Sequence, residues 1–134
     1  MTSIDKTVLV VDDEPDVRQY LSAILADAGF TVLNAADGES ALEIIRSRKP
    51  DFISLDLMMP KKSGHKLLYE LKRDRSLATI PVLIVTAVTG DGGDPEPFKK
   101  FISTRKQVPA PEGFFSKPID REEFLAAVSK ILGA

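Results

Sequence analysis

The stretch "VLVVDDEP", residues 8–15, runs four apolar residues straight into three acids and a proline. An unbroken apolar run reads as a strand covered on both faces, as in a parallel sheet between helices; a half-exposed antiparallel strand would alternate apolar with polar. Adjacent acids repel, so Asp12, Asp13 and Glu14 imply that something at the end of this strand rewards negative charge. One answer is local, since acids before a helix cap its first amides and face the positive end of its dipole. The other is a cation.

The alternation seen there continues along the chain. Further short, β-branched or aromatic runs are "FTVLNA" (30–35), "DFISL" (51–55), "PVLIV" (81–85) and "GFFS" (113–116). Between them the apolar period changes to that of helices. Val17, Tyr20, Leu21, Ile24, Leu25 and Ala28 mark one helical face, with Pro15 suited to a first turn and Gly29 placed just past the end. Asp37 is positioned to cap a helix carrying Ala41, Leu42 and Ile45 and closed by Pro50, and Ser63 to cap one carrying Leu67, Leu68 and Leu71. Asp120 precedes a last helix with Phe124, Leu125, Val128, Ile131 and Leu132 on one face. Strand then helix, five times over, is the (βα)5 pattern of an α/β, doubly wound, flavodoxin-like parallel sheet, and right-handed crossovers give it the order 2-1-3-4-5. The whole of residues 1–134 forms one domain on this reading.

One region departs from the pattern. "TGDGGDPEPFKKFISTRKQVPAPEG", residues 89–113, makes the connection between the fourth and fifth strands atypical. A helix is expected there, capped by Asp94 and carrying Phe98, Phe101 and Ile102, up to about Gln107.

Composition narrows the function classes. Eighteen basic and twenty acidic residues leave a net charge of −2, so no bulk field draws nucleic acid or a membrane surface. The absence of cysteine excludes disulfides, thiolate metal sites and cysteine catalysis. The N-terminus has no basic segment followed by a long apolar stretch, and "PVLIVTAV" is too short to span a bilayer, so a cytoplasmic location is expected.

A doubly wound sheet binds its ligand beyond the carboxyl ends of the strands, where the strand order reverses. The strands deliver Asp12 and Asp13, then Asp56, then Thr86, then Lys117 to that edge. Three close carboxylates require a counterion, and hard oxygen ligands with room for water suit Mg2+. A carboxylate there can attack phosphorus while Mg2+ and an ammonium neutralise the phosphoryl oxygens, and Asp56 is the expected nucleophile.

The motifs "VLVVDDEP", "DLMMPKKSG", "VTA" and "GFFSKP" resemble, in order and over essentially the whole chain, the receiver domain of two-component response regulators. The resemblance implies a phospho-acceptor at Asp56 and a Mg2+ site made of Asp13, Asp12 acting through metal-bound water, Asp56 and the backbone carbonyl of Met58. It further implies that Thr86 and Lys117 bind phosphoryl oxygens and that Lys117-Pro118 is a cis pair. Phe114 takes the place of an aromatic residue that follows the threonine inward on phosphorylation, and core packing explains it equally well. The partners implied are a histidine kinase or histidine phosphotransfer protein and a downstream protein target, with no direct nucleic-acid or membrane contact. The resemblance also implies a protein that catalyses only its own phosphorylation and dephosphorylation.

Several other expectations follow from particular residues. His65, the only histidine, is read as exposed and structural, and Lys61 and Lys62 as a solvated charged loop. Met58 and Val88 offer no group to orient a hydrolytic water, so the acyl phosphate is expected to be long-lived. Residues 89–112 are expected to carry the largest change on phosphorylation. A chain stopping after its fifth helix suits a stand-alone regulator, or a piece of a longer regulator or hybrid kinase.

Three rival functions bear on the same residues. A haloacid-dehalogenase-type Mg2+ phosphatase wants its nucleophile on the first strand with an acid two residues further on, and usually a cap domain. A flavin-phosphate module wants Ser, Thr and Gly after the first strand, where "DDEP" repels phosphate. A receiver fold used purely as a scaffold does not require the full set of acceptor, acids, threonine and lysine.

Overall fold

The computed structural model describes residues 6–56, 64–86, 113–116 and 119–133. In chain order the elements are β1 (Thr7–Val11), α1 (Pro15–Asp27), β2 (Thr31–Ala35), α2 (Gly38–Arg48), β3 (Phe52–Leu55), α3 (Gly64–Arg73), β4 (Val82–Thr86), β5 (Gly113–Ser116) and α4 (Arg121–Leu132). All neighbouring strands are parallel, in the order β2-β1-β3-β4-β5. The helix expected between β4 and β5, the Ser63 cap, the Lys117-Pro118 pair, Lys61, Lys62, Met58 and Val88 lie outside the described residues, as does the side chain of His65.

The sheet is covered on both faces, as the unbroken apolar runs require. Successive residues of β1, β3 and β4 divide between two cores. Leu9, Val11, Ile53, Leu55, Val82 and Ile84 pack with Ala41, Leu42 and Ile45 of α2 and Leu67, Leu68 and Leu71 of α3. Val8, Val10, Phe52, Leu83 and Val85 pack with Leu21, Ile24 and Leu25 of α1 and Phe124 and Val128 of α4. Phe52 and Phe124 are among the largest fully buried side chains, and Phe115 of β5 meets Phe124 edge to face at 6.0 Å between ring centres.

Two apolar expectations are corrected by position. β2 is an edge strand in which only Ala35 is fully buried; Leu33 and Val32 pack, partly buried, against the two cores, and Thr31 and Asn34 are exposed, as a single neighbouring strand allows. Tyr20 is 45% exposed rather than part of the buried face of α1. Its ring lies at the margin, and its hydroxyl donates to the carbonyl of Ile119 at 3.2 Å, tying α1 to the segment that enters α4.

Helix ends follow the local chemistry. Asp37 accepts from the Ser40 amide at 2.8 Å and Asp120 from the Glu123 amide at 2.9 Å, each satisfying a donor left open in a first turn. α1 stops in a Schellman turn: Phe30 N–H donates to Leu25 at 3.1 Å and Gly29 N–H to Ala26 at 3.0 Å, with Gly29 at φ 102°. α2 ends on Lys49 at φ 42°, and Pro50 then prevents its continuation. After α3 the chain turns at Asp74, which accepts from the Ser76 hydroxyl at 2.7 Å and the Ser76 amide at 2.9 Å. These two bonds hold the Asp74 carboxyl below its ordinary range. The stability that they add is present above the ordinary carboxylate range and is lost as pH falls through the depressed value.

Ser54 is the exception in β3. It pairs in register with Val10 and Leu83, is 1% exposed, and its hydroxyl has no hydrogen-bond partner among the described residues. A buried hydroxyl without a partner costs free energy that a methyl group does not. Ser54→Ala is therefore expected to raise stability by about 1 kcal/mol, read as a higher urea midpoint at unchanged slope.

Candidate phosphoryl-acceptor site

The strand order reverses at β1, which has β2 on one side and β3 on the other. Val11 and Leu55 are register partners at the carboxyl ends of β1 and β3, so the next residues, Asp12 and Asp56, emerge side by side. Adjacent strands lie about 4.8 Å apart, which brings their side chains into one site. The ladder continues one step further on both sides of β1: Asp56 N–H donates to Val11 at 2.9 Å, and Asp12 N–H to Ala35 at 3.1 Å. Both acids are thus fixed by sheet hydrogen bonds before their side chains make any contact.

Carboxylate oxygens of Asp12, Asp13, Glu14 and Asp56 all lie within 4.8 Å of one another. Asp12 and Asp56 are buried, at 1% and 2% exposure, Asp13 is half-buried, and Glu14 faces solvent. The structure therefore brings together the three acids expected from the sequence and adds Glu14 to them. Burial matters here because withdrawing carboxylates from water strengthens their mutual repulsion and the demand for a cation. Four oxygen donors, two buried and two reaching water, fit a hard divalent ion that retains part of its hydration, as Mg2+ does.

Both answers to the opening question operate at Asp12. Its Oδ1 accepts from the Glu14 amide at 2.9 Å, which serves the start of α1, while its carboxylate belongs to the acid cluster. Glu14, the residue at the N-cap, makes no capping bond with its own side chain. Arg18, which sequence reasoning passed over, donates from Nη1 to the Asp12 carbonyl at 2.7 Å. The signal available for it was a cation one turn into a helix, where the dipole disfavours positive charge.

Of the remaining expected residues, Thr86 closes β4 and pairs with Ser116, the residue before Lys117, while Phe114 pairs with Ile84. The strands carrying Thr86 and Phe114 thus reach the sheet edge that holds the acids. Their side chains, Lys117 and Met58 lie outside what is described.

A doubly wound parallel sheet with a carboxylate cluster at its switch point defines a class of phosphoryl- or metal-handling α/β domains. Residues 8–129 match the model of the response regulator receiver domain, and the chain belongs to that family. It is 42% identical over 84 residues to the phosphate regulon transcriptional regulatory protein PhoB of Pseudomonas aeruginosa, covering 63% of this chain and 37% of that protein. It is 31% identical over 125 residues to protein PilH of Pseudomonas aeruginosa, covering 93% of this chain and 96% of PilH. The chemotaxis protein CheY4 of Vibrio cholerae superposes with a TM-score of 0.80 at 31% identity, over 96% of this chain and 100% of that one. The chain spans less than half the length of PhoB and of the similar regulator RpaA of Synechocystis, 37% and 48% respectively. As a receiver domain it belongs to two-component signalling, and its acid cluster is consistent with a phosphoryl-accepting site. Among the described residues no helix is long and apolar enough to cross a membrane.

Proposed function

We propose that the protein is a phosphorylation-controlled signalling switch in which Asp56 accepts a phosphoryl group from a histidine kinase or histidine phosphotransfer protein. The observation that carries this reading is the placement of Asp56, buried directly after β3 with its carboxylate among those of Asp12, Asp13 and Glu14. One Asp56 oxygen attacks phosphorus as the bond from phosphorus to the donor imidazole breaks, and the electron pair of that bond stays with the imidazole. Asp12, Asp13, Asp56 and the Met58 carbonyl would hold Mg2+, which when bound would neutralise charge on the acids and the incoming phosphoryl oxygens. Lys117 and Thr86 bind two of those oxygens, and Phe114 follows Thr86 inward to alter the surface offered to a downstream protein.

The protein promotes only its own phosphorylation and dephosphorylation, as one receiver domain over residues 1–134 acting in the cytoplasm. Its contacts are with proteins rather than with nucleic acid or membrane. PhoB and RpaA are transcriptional regulators by name, and the part of this chain that matches them is the part that receives the signal.

Acetyl phosphate with Mg2+, followed by intact mass, tests the proposal. A stoichiometric adduct of one phosphoryl group per chain is expected, and EDTA should prevent it. Continuous release of phosphate from p-nitrophenyl phosphate without a retained adduct would instead identify a phosphatase of the haloacid dehalogenase type.

A further inference from the structure

The acid cluster depends on a turn that is held from three directions. The Asp12 amide donates to Ala35 in β2, the Asp12 carboxylate accepts from the Glu14 amide, and the Asp12 carbonyl accepts from the Arg18 guanidinium. The first anchor belongs to the sheet and the second to an acid of the site. The third comes from a side chain that is not itself an acid of the cluster, and it fixes the peptide plane joining Asp12 to Asp13. That plane sets the direction in which Asp13 leaves the backbone.

Arg18 occupies a position that helix energetics alone disfavour. α1 begins at Pro15, so Arg18 lies in its first full turn, beside the positive end of the dipole. Pro15 brings no N–H, and Glu14 supplies no side-chain cap, so the entry to α1 is held through Asp12, whose Oδ1 accepts from the Glu14 amide. A planar, permanently charged guanidinium can hold a carbonyl while keeping its other N–H groups available, which an ammonium does less well. A residue that opposes the local preference of its helix and compensates through one bond of 2.7 Å to the backbone between two acids is tied to the work of those acids.

We propose that Arg18 is a positioning residue for the metal site: by holding the Asp12 carbonyl it pre-sets Asp13 for Mg2+, and it does so although its charge opposes that of the ion. The proposal rests on the receiver-site reading above. The two contributions differ in sign, which makes them separable. If charge dominated, removing Arg18 would tighten Mg2+ binding; if positioning dominates, it weakens binding.

The test is calorimetric titration of Mg2+ into the metal-free protein and into Arg18→Met and Arg18→Lys, with amide hydrogen exchange at Asp13 and Glu14 in the absence of metal. Arg18→Met is expected to raise the dissociation constant roughly tenfold, as loss of an outer partner of a metal ligand does, and to speed exchange at both amides. Arg18→Lys, which keeps a long donor, is expected to recover at least half of the lost binding free energy. A thermal melt of each variant shows that the comparison is between folded proteins. Unchanged or tighter Mg2+ binding by Arg18→Met, unaltered exchange, or Arg18→Lys as weak as Arg18→Met would overturn the proposal while leaving the receiver site intact. Failure of the unsubstituted protein to bind Mg2+ would overturn both readings.

Discussion

Asp56→Asn is expected to abolish the phosphoryl adduct formed with acetyl phosphate and Mg2+, below the limit of detection by intact mass. The amide has nearly the shape of the carboxylate, so β3, its bond from the residue 56 amide to Val11 and the packing beneath it are retained. What is lost is the anionic oxygen able to attack phosphorus, and a neutral carboxamide is a far weaker nucleophile. Asp12 and Asp13 do not substitute for it. Asp12 has one oxygen engaged with the Glu14 amide, and Asp13 leaves the chain from a different strand end, with a different line of approach to phosphorus. An adduct that survives in Asp56→Asn would place the nucleophile elsewhere.

The second large effect is expected from Asp13→Ala, which should eliminate measurable Mg2+ binding and at the same time stabilise the metal-free protein. Two unit charges within 4.8 Å of each other repel by roughly 3 kcal/mol or more at an effective dielectric constant of about 20. Because Asp13 is half-buried, solvent screening reduces the gain on its removal to about 1 kcal/mol. Mg2+ is expected to raise the melting temperature of the unsubstituted protein by binding its folded state, and this increment is expected to vanish in Asp13→Ala. Thermal melts of both proteins with and without Mg2+ check the two effects together. A variant that is less stable without metal, or that still gains stability from Mg2+, would contradict the assignment of Asp13.

Much of the fold was legible because burial on two faces leaves a sequence signature. The runs at 8–11, 52–55 and 82–85 contain almost no polar residue, and each divides its side chains between the two cores. Ser54 breaks that run at a point where neither period nor propensity gives a reason. The edge position of β2 was harder to read, since Val32 and Leu33 suggest burial while Thr31 and Asn34 are exposed. Tyr20 fell on the apolar stripe of α1 by spacing, but a ring with a polar tip can sit at the margin and bond across to Ile119.

The acid site was legible for a different reason: parallel topology takes every strand end to one edge, so Asp12, Asp13 and Asp56 could be grouped without coordinates. Glu14 and Arg18 could not be grouped that way. Glu14 enters the cluster through the geometry of a turn, and Arg18 reaches it by folding back from the helix, and neither movement has a period in the sequence. Expectations at Met58, Val88 and 89–112 concern residues beyond those described, and their tests remain biochemical.

The most direct measurement of the central claim is chemical mapping of the phosphorylated residue. The protein is treated with acetyl phosphate and Mg2+, the acyl phosphate is reduced with borohydride to the corresponding alcohol, and the digest is sequenced by tandem mass spectrometry. The account predicts conversion of residue 56 from aspartate to homoserine, and no conversion at residue 12, 13 or 14 or in a parallel sample containing EDTA. The corresponding alcohol at any of those other acids, homoserine at Asp12 or Asp13 or its one-carbon-longer homologue at Glu14, or equal conversion of residue 56 without Mg2+, would contradict it.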